Sequence, residues 1–318
     1  MVSEIVFPRG EEPKKLENFL KKRFPIGYVR RVFRKNGVRL NGKRAGPDQV
    51  IRSGDRVQLF IPFEKRPAPA EARPSHASDF TITYEDERIA VVNKPAGLAV
   101  QEGKNVSKNR SLLGLLQAKY RPEGIVPRLV HRLDLQTSGL LLIAKNETVA
   151  EELEQKFEDG EVDKQYLVLV VGQIRPREGR IDLPLPGREG KPVSALTIYK
   201  VEKEFPPAAR SRASSFILPP SSFILHPSAL SVSLVRATLK TGRMHQLRLH
   251  FAAIKHPVVM DEEHGDFSFN KNFRKAHGLK RQFLHASTLA LEYGGRKHKW
   301  TAPLPDDLQR TLRSLEAR

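Results

Sequence analysis

The stretch His131-Arg132-Leu133-Asp134-Leu135-Gln136-Thr137-Ser138-Gly139 sets one acid among two potential cations and two hydroxyls, directly ahead of the apolar run Leu140 to Ala144. An aspartate has an ordinary pKa near ~3.9, so at neutral pH it is already an anion and can attack without a base to activate it. Such an attacker needs only to be oriented and partly dried. The same residues also suit an ordinary turn, with Asp134 accepting backbone amides before a strand. Taken alone, the segment leaves both readings open.

A second chemical segment opens with Thr241-Gly242-Arg243-Met244-His245-Gln246-Leu247-Arg248 and runs on to Val258. Leu247, Phe251 and Ile254 fall on one helical stripe, with Gly242 before the helix and His256-Pro257 ending it. Arg243, His245 and Arg248 then form a cationic cluster around its first turns. His245, His250, His256, His264, Asp261 and Asp266 raise the rival of a metal site. However, His245 and His250 lie five residues apart, about 140° round a helix, and cannot share a face. No metal is expected. The chain has no cysteine, which excludes disulfides, thiolate metal sites and a cysteine nucleophile.

The elements that must position these residues alternate irregularly, which predicts an α+β architecture. Residues 80–101 read as two strands around the turn Glu85-Asp86-Glu87. Leu140 to Ala144 reads as a buried strand. Next comes a helix from a capping pair, Thr148 and Glu151, and then the strand Lys164-Gln165-Tyr166-Leu167-Val168. Upstream, residues 14–35 predict two short helices broken at Pro25, followed by a strand turning at Asn41-Gly42 and a hairpin turning at Ser53-Gly54-Asp55. Residues 37–43 match much of a phosphate loop, but Arg44 stands where Ser or Thr would hold magnesium. Residues 67–78 are rich in Pro and Ala and read as a linker. Residues 208–231, with the near-duplicate "SSFILP" and "SSFILH", read as a surface insertion.

Charge points to a partner. The 318 residues carry 55 Lys and Arg against 36 Asp and Glu, a formal +19. Residues 1–66 hold 17 of those cations and only 7 of the acids. Clustered positive charge of this kind fits phosphate backbones, because each neutralised phosphate releases counterions. Without an apolar anchor or a leader segment, membrane binding is not expected, and the expected compartment is the cytoplasm.

With "VVNKPAGLAV" upstream, "KQYLVLV" between and "RQFLHASTLAL" downstream, "HRLDLQTSGLLLIAK" and "GRMHQLRLH" together resemble the motif set of the RluA-type pseudouridine synthases, in order and over nearly all of residues 79–305. The resemblance implies that family's fold, a mixed and largely antiparallel central sheet flanked by helices. It also implies its reaction: the bond from uracil N1 to ribose C1′ breaks, the base turns in place, and C5 takes the bond. That isomerisation is redox-neutral and needs no cofactor. By the same resemblance Asp134 is the nucleophile, Tyr166 stacks on the target base, and Arg248 pairs with the catalytic carboxylate. Arg132 would fill the space that the flipped base vacates, while His131, Arg243 and His245 would meet RNA.

Residues 1–66 resemble the small α/β RNA-binding domain named after a small-subunit ribosomal protein, and Lys21, Lys22, Arg30, Arg31, Arg34 and Lys35 would carry its RNA contacts. The expected organisation is that module, a linker at 67–78, and a catalytic domain at 79–318. Three residues depart from the family pattern: Met244 where Thr is usual, Met260 where Gly is common, and His264 where a Tyr-Gly pair is usual. The segment around His264 is similar to branches that modify tRNA, and the N-terminal module to branches that modify large-subunit rRNA. A tethered basic module suits a large folded RNA, so the expectation is a monomeric rRNA pseudouridine synthase. Its alternatives are a tRNA synthase of the family, a non-catalytic RNA-binding factor, and a metal-dependent nuclease.

Overall fold

The structure is a computed structural model that describes residues 3–8, 12–24, 28–29, 32–33, 36–60, 80–103, 106–187, 191–206 and 231–317. It divides into two compact units, Met1–Arg73 and Pro74–Arg318. The expected linker, and all but Ser231 of the expected insertion, lie outside the described residues. No helix among the described residues is long and apolar enough to cross a membrane.

In the first unit the helix Leu16–Lys21 buries Leu16, Phe19 and Leu20. They join Val29, Val32, Val38, Leu40, Ile51, Val57 and Leu59 in one small core. Asn41 and Gly42 both take positive φ, 50° and 82°, the backbone of a primed turn between Val38–Leu40 and Lys43–Arg44. The expected hairpin at Ser53 to Asp55 does not form. Val50–Ile51 pairs with Lys14–Lys15, and Arg56–Leu59 pairs with Ser3–Val6 and with Val38–Leu40. The local turn is present, but distant strands capture both of its arms. The Asp55 carboxylate accepts the Arg52 amide and the Asn41 side-chain amide, tying that turn to the first.

The second unit begins with β1 (Thr81–Glu85) and β2 (Ile89–Lys94), whose turn is closed by Asp86 accepting the Arg88 and Ile89 amides. Then follow α1 (Leu112–Tyr120), β3 (Ser138–Ala144), α2 (Glu147–Glu158), β4 (Asp163–Val171), β5 (Glu178–Asp182), β6 (Leu196–Phe205) and β7 (Val232–Leu239). After these come α3 (Gln246–Ala253), α4 (Phe267–His277), β8 (Leu284–Tyr293), β9 (Arg296–Thr301) and α5 (Asp306–Glu316). The sheet runs β5-β6-β7-β4-β8-β3-β2-β1, with β9 on β8 and the short strand Arg128–Leu129 on β3. It is mixed but largely antiparallel, as expected.

Alternate residues feed cores on opposite faces. Leu141 and Ile143 pack with Leu112 and Leu116 of α1, while Leu140 and Leu142 pack with Val149 and Leu153 of α2. Burial on both faces explains why β3 is uniformly apolar from Leu140 to Ala144. The cap of α2 differs from expectation. Asn146, not Thr148, begins the helix, and its side chain accepts the Val149 amide, because an asparagine two residues earlier offers a stronger cap.

The parallel pairing in this sheet is short and joins β3 to β8 through Ser138↔His285 and Gly139↔Ala286. There Gly139 has φ +115°, and a Cβ on it would lie 2.2 Å from the Ala286 carbonyl oxygen. Gly139→Ala would therefore force the strands apart. We expect a loss toward the upper end of the ~1–3 kcal/mol usual for overpacking, because the obstacle is backbone; urea denaturation would measure it.

Candidate active site

Asp134 occupies the loop entering β3. Leu133 before it is buried in the core beneath α1 and α3. The Asp134 carbonyl accepts the Thr137 amide at 3.1 Å, so its backbone does close a turn. Its carboxylate is used elsewhere. Among the described residues, Oδ2 meets Arg248 Nη1 at 3.4 Å and Oδ1 lies 3.9 Å from His245 Nε2. The side chain is thus held by groups from a distant helix and is left about one fifth exposed.

Several anchors keep this loop in place. The Lys94 ammonium, fully buried at the end of β2, donates to the carbonyls of Pro95 and Leu98 at 3.0 Å and to that of Leu135 at 3.4 Å. Burial drives its pKa down to about 7, with Arg281 adding repulsion and Asp134 opposing both. Arg281 donates to the Gln136 carbonyl at 3.2 Å, and Gln282 donates to Thr137 Oγ1 at 2.9 Å. Lys94, Arg281 and Gln282 all sit inside the sequence motifs, yet sequence reasoning did not single them out. For Lys94 the available signal was a charged side chain ending an apolar strand.

Arg248 projects from the first turn of α3 and is 7 % exposed. Its main partner is Asp261, which it engages at both ends of the fork, Nε to Oδ2 at 2.6 Å and Nη2 to Oδ1 at 2.9 Å. Nη2 also reaches Glu263 at 3.1 Å, and Nη1 is left for Asp134. A bidentate Arg–carboxylate pair fixes the guanidinium in direction as well as position. Burial works to raise the Asp261 pKa, but Arg248 and the His264 and Glu263 amides outweigh it and hold the carboxylate below its ordinary range. Burial likewise opposes the Arg248 charge, and Asp261 chiefly, with Asp134, more than restores it. Met260 before this acid has φ +65°, a left-handed backbone that glycine adopts without strain.

Tyr166 sits on β4 with Ala237 and Ala286 as its cross-strand neighbours, and a bulge in the β4–β8 pairing falls next to it. Small neighbours stand on both sides of the ring, which is itself buried at 6 % exposure, and a bulge re-aims a side chain in this way. Burial first, and the Asp134 charge second, raise its phenol above the ordinary value, so the hydroxyl keeps its proton.

Arg132 is exposed next to Asp134, and Arg243 and Met244 are exposed ahead of α3. His245 has φ +54°, a left-handed conformation rare outside glycine, which turns its ring back over Asp134. Gln246 braces this bend by accepting from Thr241 Oγ1 and the Arg243 amide and donating to the Leu196 carbonyl and Thr197 Oγ1. His250, inside α3, is turned inward to Thr197 and Leu183. Lys21 in the first unit pairs with Glu17, and Lys22 is exposed; Arg30, Arg31, Arg34 and Lys35 lie outside the described residues.

His131 requires a correction. It does not face outward with Arg132: its Nε2 accepts the Leu142 amide at 2.8 Å and its ring stacks on Phe157 of α2 at 4.6 Å. The chain bends so that neighbouring residues point to opposite sides, and the imidazole becomes a post between β3 and α2. Burial, aided by the Lys164 ammonium, pushes its pKa down to about 3 from an ordinary 6.5. Between those values the unfolded chain binds a proton that the folded chain refuses, so stability is present above pH 6.5 and is lost as pH falls toward about 3. Melting temperature should fall on acidification, and less steeply in His131→Gln than in the wild type.

Two solved structures have this architecture. Human RNA Pseudouridylate Synthase Domain Containing 4 superposes with a TM-score of 0.56 at 24% identity, over 74% of this chain and 92% of its own. Human RNA Pseudouridylate Synthase Domain Containing 1 gives 0.53, also at 24% identity, over 77% and 98%. The second unit therefore has the pseudouridine synthase fold. The family profile described as RNA pseudouridylate synthase matches residues 88–253, a span that includes Asp134, Tyr166 and Arg248. Ribosomal large subunit pseudouridine synthase C of Escherichia coli O157:H7 is 32% identical over 99% of this chain and 97% of its own length. The protein of that name from Haemophilus ducreyi is 32% identical over 96% and 93%. The chain belongs to the RNA pseudouridine synthase family and is an isomerase acting on RNA.

Proposed function

We propose that this protein isomerises specific uridines of large-subunit ribosomal RNA, with Asp134 as the attacking carboxylate. The observation that carries the mechanism is the split use of Arg248. Asp261 holds its fork, and the remaining Nη1 steadies Asp134 without covering it. The Asp134 carboxylate is thereby oriented by a cation from α3 and left partly exposed, while its backbone carbonyl serves the turn. Tyr166, flanked by alanines, forms the floor against which the uracil lies while its glycosidic bond moves from N1 to C5. In the same step the C5 proton leaves and N1 gains one. A uridine within a helix must be flipped out to reach this floor, at a cost of a few kcal/mol that is least at loops and bulges, and exposed Arg132 is placed to take its room in the RNA.

The rRNA assignment rests on relatives of that name that align along almost the whole chain, including the basic first unit. We read that unit as a separate RNA-binding module, with exposed Lys22 among its contacts. Pseudouridine mapping in cells lacking the gene tests the substrate. Loss of one or more large-subunit rRNA sites, restored by the wild type, is expected; loss confined to tRNA would overturn the assignment.

A further inference from the structure

The fold brings together two histidines and a carboxylate that the reaction does not require as a set. His245 Nδ1 and His264 Nε2 are 3.3 Å apart, and Glu263 Oε2 lies 3.6 Å from the first and 3.7 Å from the second. Four-coordinate zinc binds such atoms at about 2.0–2.2 Å, which sets ligand-to-ligand edges of about 3.3–3.6 Å in a tetrahedron. Two of the three edges here fall within that spacing and the third, at 3.7 Å, lies just above it, and a fourth corner would be open. His264 belongs to the loop leading into α4, and Glu263 is 60 % exposed, so an ion can enter from solvent.

The local charge favours a cation despite the strongly basic chain. Asp134, Asp261 and Glu263 all converge on the single guanidinium of Arg248. Three carboxylates thus share one guanidinium. Glu263 Oε2 already accepts from Arg248 Nη2 at 3.1 Å, and a carboxylate oxygen has a second lone pair for a metal. Sequence spacing spoke against a metal because His245 and His250 cannot share a face. For that pair the exclusion holds, but the αL turn at His245 brings it to His264 instead.

We infer that His245, Glu263 and His264 form a site for a zinc-class divalent ion at the mouth of the catalytic cleft, and that its occupancy inhibits the enzyme. Coordination through His245 Nδ1 leaves the proton on Nε2, which faces Asp134 at 3.9 Å. The ion and its open corner would occupy the approach that the flipped uridine must use. Inhibition rests on the isomerase reading, whereas binding does not.

The test uses untagged full-length protein at about pH 7.5, where imidazole is mostly neutral. Cobalt(II) titration should give the intense visible bands of a tetrahedral site, saturating at one ion per chain and displaced by zinc. His264→Gln and Glu263→Gln should each lose that spectrum while keeping the wild-type melting temperature. Zinc should slow isomerisation by the wild type, reversibly with chelator, and leave His264→Gln unaffected. Absence of cobalt binding by the wild type, or binding unchanged in both variants, would overturn the site. Binding that is lost in the variants without zinc inhibition of the wild type would overturn its regulatory role alone.

Discussion

Asp134→Asn is expected to abolish pseudouridine formation while leaving fold and RNA affinity intact. Asparagine has the same shape, so the turn closed by the residue 134 carbonyl and the Thr137 amide survives. Arg248 keeps its two bonds to Asp261 and its contact with Glu263, so no buried charge is stranded. What disappears is the anion. Melting temperature, RNA affinity and product formation should therefore separate cleanly, with only the last lost.

Arg248→Ala is expected to lose both product formation and stability. Asp261 is 1 % exposed, and without the guanidinium its carboxylate would be buried with only backbone amides for partners. Breaking a buried pair from one side typically costs ~3–5 kcal/mol. The effect reaches Asp134 too, since Nη1 is the group that steadies it. Denaturant melts should show the stability loss in Arg248→Ala and not in Asp134→Asn, while activity vanishes in both. Equal stability in the two variants would mean that the Arg248–Asp261 pair does not hold the site together.

Much of the architecture could be read from sequence because it is local. The uniform apolar run of β3, the hairpin of β1 and β2, and the stripe of Leu247 and Phe251 on α3 each record burial in their own spacing. The hairpin at Ser53 could not be read, because partners as distant as Ser3–Val6 and Lys14–Lys15 took its arms. The site divides in the same way. Asp134 and Arg248 stand in dense motifs. Asp261 lies in a stretch of acids and histidines whose likeness to metal ligands hid its pairing with Arg248, thirteen residues away. His131 was misread because a backbone bend, rather than residue type, decides whether a histidine beside an arginine faces solvent or core. Lys94 carries no such signal in its own type, because its role comes from three carbonyls of two loops that surround it.

We propose that the Asp134 carboxylate carries out the isomerisation. The most direct test is tritium release from large-subunit rRNA made with 5-tritiated uridine, since C5 must give up its hydrogen to form the new bond. The wild type should release tritium in proportion to the pseudouridine formed, and Asp134→Asn, still binding the RNA, should release none. Release by that variant at a rate near the wild type would show that another group attacks.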